Sequence, residues 1–78
     1  MMKVKVCGNT RLDDVREEIR LGVDAIGFIF YEKSPRFVTI EKTHALLEQL
    51  GELRKQVEIW GVFVDPEWSL VKNCVERL

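Results

Sequence analysis

The sequence has 78 residues, enough for one small domain whose core is marginal without help from a partner, a metal or a disulfide. With 46% hydrophobic and 32% charged residues, the composition is that of a soluble globular chain and excludes a disordered one. Twelve basic residues are interspersed with thirteen acidic ones for a formal net charge of −1, which excludes the basic footprint of a nucleic-acid binder.

Lys3 to Cys7 alternates Lys-Val-Lys-Val-Cys, the period of a β-strand. Gly8, Asn9 and Thr10 break it, and Thr10 followed by Asp13 has the spacing of a capping box. Leu12, Val15 and Ile19 recur at helical spacing, predicting a first helix over Leu12 to Leu21 with Gly22 as its stop. Ala25 to Tyr31 is a nearly continuous apolar run, as expected of a parallel strand covered on both faces. The polar segment Glu32 to Val38 contains Pro35 and reads as a loop. Thr39 caps a second helix, Ile40 to Leu50, with Ile40, Leu47 and Leu50 on its apolar side and Gly51 at its end. After the charged connection Gly51 to Gln56 comes a third strand, Glu58 to Val64. Asp65-Pro66 has the form of a helix start, Asp as N-cap and Pro at the first helical position. The third helix then places Val71, Cys74, Val75 and Leu78 on one face.

The order β-α-β-α-β-α predicts an α/β fold with a parallel sheet and helices packed on it, in a single domain spanning residues 1–78. Cys7 and Cys74 lie far apart in unlike patterns, so both are expected as reduced thiols in the cytoplasm. No Cys/His spacing suggests a metal site, no apolar run reaches the length of a membrane span, and Met1 to Lys5 lacks the apolar core of a signal peptide.

Two parallel architectures compete. A doubly wound sheet would carry a glycine-rich phosphate turn after its first strand, whereas the turn here is Cys7-Gly8-Asn9-Thr10, with neither GxGxxG nor a Walker lysine. A (β/α)8 barrel builds its active site at the C-terminal ends of its strands, which points to Cys7, to the Ser34-Pro35-Arg36 loop and to Asp65. Three β-α units of eight leave two open sheet edges, so a truncated barrel is expected to associate, with itself or with a complementary C-terminal barrel fragment.

Four segments in register carry a more specific signal. Lys5-Val6-Cys7-Gly8-Asn9-Thr10-Arg11, Gly22 to Tyr31, Ser34-Pro35-Arg36-Phe37-Val38 and Gly61-Val62-Phe63-Val64 together resemble the N-terminal three β-α units of the phosphoribosylanthranilate isomerases. The resemblance implies a TIM barrel and an Amadori rearrangement of N-(5-phosphoribosyl)anthranilate in tryptophan biosynthesis. An acid opens the furanose ring to an imine, and a base removes the C2′ proton to give an enolamine that becomes the ketone. It implies no metal and no redox cofactor. It makes Cys7 the general base and Arg36 the partner of the anthranilate carboxylate, a task that suits the planar guanidinium fork. The family's general acid, an aspartate from a later strand, and its phosphate-binding loops near the seventh and eighth strands fall outside these residues, so the chain alone is expected to be inactive. Asn9 stands where many relatives carry an aliphatic residue and Asp65 where many carry Asn, and neither is given a role.

The bland alternatives are specific too. Cys7 can be read as one more small buried hydrophobe, and Arg36 as a solvated loop charge. Lys5 shares a strand face with Cys7, where it is either a tuner of the thiol or a paired charge inside the barrel. Cys74, Trp60 and Trp68 read as packing residues, and His44 on the second helix has no role. Beside the isomerase stand two other functions: a non-catalytic β-α module that self-assembles through its open edges, and a different barrel enzyme for a phosphoribosyl-type substrate, in which the Cys-Gly and Ser-Pro-Arg pair is hard to place.

Overall fold

The computed structural model describes residues 2–78. Three parallel strands, β1 (Lys5–Val6), β2 (Ala25–Ile29) and β3 (Glu58–Val62), lie side by side in chain order. They alternate with helices α1 (Leu12–Arg20), α2 (Ile40–Leu50) and α3 (Trp68–Arg77). The expected α/β order is therefore present, with each strand two or three residues shorter than its apolar pattern. The pairing outlasts the strands in one place, where Phe30 N–H donates to the Val62 carbonyl at 2.9 Å.

Strand parity divides the sheet into two faces. Ile26 and Phe28 of β2, and Phe30 just after it, point to the helices and are buried with Val15 and Ile19 of α1, Ile40, Leu46, Leu47 and Leu50 of α2, and Cys74 of α3. This is the core, and α2 lies in its middle, packed on both α1 and α3. The register Lys5↔Ala25↔Glu58 and Gly27↔Trp60 puts Lys5, Cys7, Ala25, Gly27, Ile29, Glu58, Trp60 and Val62 on the opposite face.

Two helix ends follow directly from local chemistry. Gly22, at φ +91°, closes α1 with the paired bonds of a Schellman motif, Gly22 N–H to Ile19 O at 3.0 Å and Val23 N–H to Glu18 O at 3.2 Å. Thr39 Oγ1 accepts from Lys42 N–H at 3.1 Å and starts α2.

Elsewhere the structure corrects the sequence reading. The Thr10–Asp13 capping box does not form: α1 begins at Leu12 as expected, but its N-cap is Arg11, whose side chain caps nothing, and Asp13 and Asp14 in the first turn favour the helix dipole. Asp65 does not cap α3. An N-cap residue needs extended backbone, whereas Asp65 has φ +42° and turns the chain, so that α3 starts at Trp68 behind Glu67. On α3 the inward residues are Leu70, Cys74 and Leu78, four apart, and Val75 is 77% exposed. Neither tryptophan fills the core: Trp60 is half exposed and Trp68 is 82% exposed. The charged connection Gly51–Gln56 is wound as a 3-10 helix.

Candidate functional site

Cys7 follows directly on β1 and is half-buried. Its neighbour across the sheet is Gly27, and the absence of a side chain there makes the room for the thiol. A Cβ built on Gly27 would lie 3.0 Å from Cys7 Sγ and 3.4 Å from both Cys7 Cα and Cβ. Glycine in the middle of a buried strand is otherwise unfavourable. Its presence in β2 is explained by this close approach.

Arg36 reaches the same place from the loop after β2. Ser34 N–H donates to Tyr31 O at 2.9 Å, Phe37 N–H to Ser34 O at 3.1 Å, and Ser34 Oγ accepts from Arg36 N–H at 3.1 Å. These bonds fold the loop back so that Phe37 bridges Ile29, and Val38 N–H donates to Ile29 O at 3.0 Å. The Arg36 side chain then lies against Gly8. A Cβ on Gly8 would meet Arg36 Cδ at 2.6 Å and Nη1 at 3.1 Å, and Gly8 has φ +81°, a region that favours glycine. The Arg36 side chain is thus brought against Gly8, the residue that follows Cys7, although 29 positions separate Cys7 and Arg36 in the sequence.

Behind this turn sits Asn9, only 5% exposed. Its Nδ2 donates to Val6 O at 3.0 Å and to Gly27 O at 3.2 Å, and its backbone N–H donates to Gly27 O at 3.1 Å. Sequence reasoning missed this residue. The only local signal is a polar side chain at a strand end, and the bonds that matter run to a residue 18 positions away. Glu18 of α1 faces the same region, with Oε1 buried and without a hydrogen-bond partner among the described residues. Burial raises the pKa of Glu18; the Asn9 side chain works against that rise and Asp14 adds to it. The Asn9 carboxamide therefore influences Glu18 by proximity, while no bond of good geometry joins it to Oε1.

Lys5 shares the face of Cys7, but its ammonium is turned across the small residues of β2 to lie 4.3 Å from the centre of the Trp60 ring. Trp60 Nε1–H in turn donates to Glu58 Oε2 at 3.1 Å. Cys74 is remote from this group and buried in the core, which pushes its thiol pKa up. His44 pairs with Glu48 on the exposed side of α2. Asp65 stands in the middle of the third β-α loop and is exposed. Among the described residues, no three His, Cys, Asp or Glu side chains gather as a metal would require.

The site is an open face rather than a cleft. The best-formed apolar hollow, about 220 Å³, lies on the helix side between β3 and α3, lined by Phe28, Phe30, Ile59, Phe63, Cys74 and Val75 among others, and does not include Cys7 or Arg36. A shallower concavity, about 500 Å³, runs along the loops after β2 and β3 past Tyr31, Lys33, Asp65 and Pro66. A small-molecule site normally encloses most of its ligand. The chemistry-bearing residues here form one wall.

The profile of the N-(5'phosphoribosyl)anthranilate (PRA) isomerase family matches residues 4–78. The N-(5'-phosphoribosyl)anthranilate isomerase of Marinomonas is 44% identical over 73 residues, which are 94% of this chain and 34% of that protein. The isomerase of Thiobacillus denitrificans is 45% identical over 77 residues, 99% of this chain and 36% of that protein. The crystal structure of phosphoribosyl anthranilate isomerase from Thermotoga maritima superimposes with a TM-score of 0.88 at 34% identity, covering 99% of this chain and 36% of the other. A phosphoribosyl anthranilate isomerase in complex with reduced 1-(o-carboxyphenylamino)-1-deoxyribulose 5-phosphate gives the same TM-score and identity and is covered to 38%. The chain spans about a third of the length of the relatives it matches. Its parallel β-α units are those of their TIM barrels, and the chain belongs to the N-(5'-phosphoribosyl)anthranilate isomerase family.

Proposed function

We propose that these residues form one wall of an isomerase active site, which converts N-(5-phosphoribosyl)anthranilate to 1-(o-carboxyphenylamino)-1-deoxyribulose 5-phosphate in the cytoplasm. The observation that carries the reading is the packing of the Arg36 side chain against Gly8, next to Cys7, at the C-terminal ends of neighbouring parallel strands, where barrel enzymes assemble their chemistry. In this scheme an acid protonates the furanose ring oxygen, the ring C–O bond breaks and an imine forms. Cys7, as thiolate, removes the C2′ proton, and the electron pair left on C2′ flows into the imine to give the enolamine. The enolamine then takes up a proton at C1′ and releases the proton of its C2′ hydroxyl, becoming the ketone. Arg36 pairs with the anthranilate carboxylate through its two-pronged guanidinium and orients the reacting carbons toward Sγ.

The acid and the phosphate site are supplied by further β-α units, which pair with the open edges of β1 and β3 and close the face that carries Cys7. A specific observation favours a second reading, self-association: the described sheet has two unpaired edges, and Trp60, Trp68 and Val75 are exposed. Sedimentation of the chain alone reports that assembly, which the first reading also expects when no complementing units are present.

The test is complementation. The 78-residue chain is co-expressed with the remaining β-α units of a relative, and the fall in substrate fluorescence is followed. Isomerisation by the pair and none by either part is the expected result. A pair that co-purifies, binds substrate and turns none over would overturn the reading.

A further inference from the structure

We propose that Asn9 is a positioning residue for Cys7, in an inference that rests on Cys7 acting as the base. The hydrogen-bonded register of β1 with β2 ends at Val6↔Ile26, so Cys7 lies one residue beyond the last paired position. A residue past the end of a ladder is free to fray. Asn9 replaces the missing ladder. Its carboxamide holds the carbonyl of Val6, immediately before Cys7, and the carbonyl of Gly27, the residue whose empty Cβ position receives Sγ. Both sides of the thiol are thereby fixed to one buried side chain. Because both acceptors are carbonyl oxygens, only the NH2 end of the amide fits, so its orientation is determined by the bonds it makes. An aliphatic residue would keep the backbone bond to Gly27 and lose both side-chain bonds. Aspartate would keep the shape and turn oxygen toward two oxygens.

The experiment compares the full 78-residue chain with its Asn9→Asp and Asn9→Leu variants. Alkylation by iodoacetamide is timed separately at Cys7 and Cys74 by peptide mass spectrometry. Cys74, buried in the core on α3, reports general loosening. The expected result is a rise of roughly 10-fold in the Cys7 rate for Asn9→Asp and a smaller rise for Asn9→Leu, with the Cys74 rate unchanged. Equal acceleration at both thiols, or no change at Cys7, overturns the proposal. In the complemented enzyme Asn9→Leu is expected to lower kcat by roughly 10- to 100-fold, the scale on which small misplacements act, and to leave KM in place because Arg36 is untouched. If Cys7 alkylation shifts as expected while kcat does not, Asn9 holds the thiol and it is the base assignment that fails. If alkylation does not shift, the Asn9 proposal fails whatever Cys7 does.

Discussion

Replacing Gly27 by alanine tests the packing that makes room for the thiol. The new Cβ would stand 3.0 Å from Cys7 Sγ, with Cys7 Cα and Cβ at 3.4 Å. The backbone atom has nowhere to go, so the sulfur must give by a few tenths of an ångström. Overpacking of this kind costs about 1–3 kcal/mol. Alanine in a strand offsets about 0.5–1 kcal/mol of that by reducing the freedom of the unfolded chain. The net loss of stability is therefore at most about 2.5 kcal/mol. The effect on chemistry is of comparable size: if a misplacement of ~1 Å costs ~100-fold, one of a few tenths costs roughly 5-fold in kcat, about 1 kcal/mol. Gly61→Ala is the control, since its Cβ would press on the Phe63 and Phe30 rings at 3.2 and 3.3 Å, on the helix face of the sheet. Urea unfolding and kcat are measured for both variants in the complemented enzyme. Both should lose stability, and only Gly27→Ala should lose turnover. Equal kcat in the two would show that the space at Gly27 has nothing to do with the thiol.

Two other changes probe the frame. Thr39→Ala removes the acceptor of the Lys42 N–H and should cost about 1 kcal/mol in urea unfolding, while Thr39→Ser keeps most of it; equal losses in the two would remove the cap from the account. Glu18 has a folded pKa raised above 4.5 by burial, so the stability it permits is complete below pH 4.5 and is lost as the pH rises through the raised value. Glu18→Gln should accordingly raise the unfolding midpoint at neutral pH and leave it unchanged below 4.5, and an unchanged midpoint at neutral pH would contradict the burial of this carboxyl.

What could be read from the sequence was what local chemistry decides. The apolar run of β2, the Thr39 cap and the glycine stops at Gly22 and Gly51 appear where their residues place them. Asp65 did not follow its sequence signal because its backbone is set by how the chain leaves β3, and a left-handed residue cannot also be an extended N-cap. The tryptophans misled because large apolar side chains suggest a core, whereas both stand on surfaces that this chain does not cover. In the site, Cys7 and Arg36 were visible only through the family resemblance and the strand-end rule. The two glycines that fit around them, and the Asn9 bonds behind them, depend on contacts between segments far apart in the chain.

The central claim is that Cys7 abstracts the proton and Arg36 holds the carboxylate, and steady-state kinetics of the complemented enzyme with Cys7→Ser and Arg36→Met measure it most directly. A serine hydroxyl keeps the shape of the thiol but is far too weak an acid to supply an anion near neutrality. Cys7→Ser should therefore lower kcat by roughly 10²–10⁴-fold, the contribution of a proton-transfer group, with KM little changed. Arg36→Met should raise KM, by roughly 10- to 100-fold for a charge-assisted pair of about 1.5–3 kcal/mol. A Cys7→Ser enzyme that turns over at nearly the wild-type rate would contradict the assignment of the base.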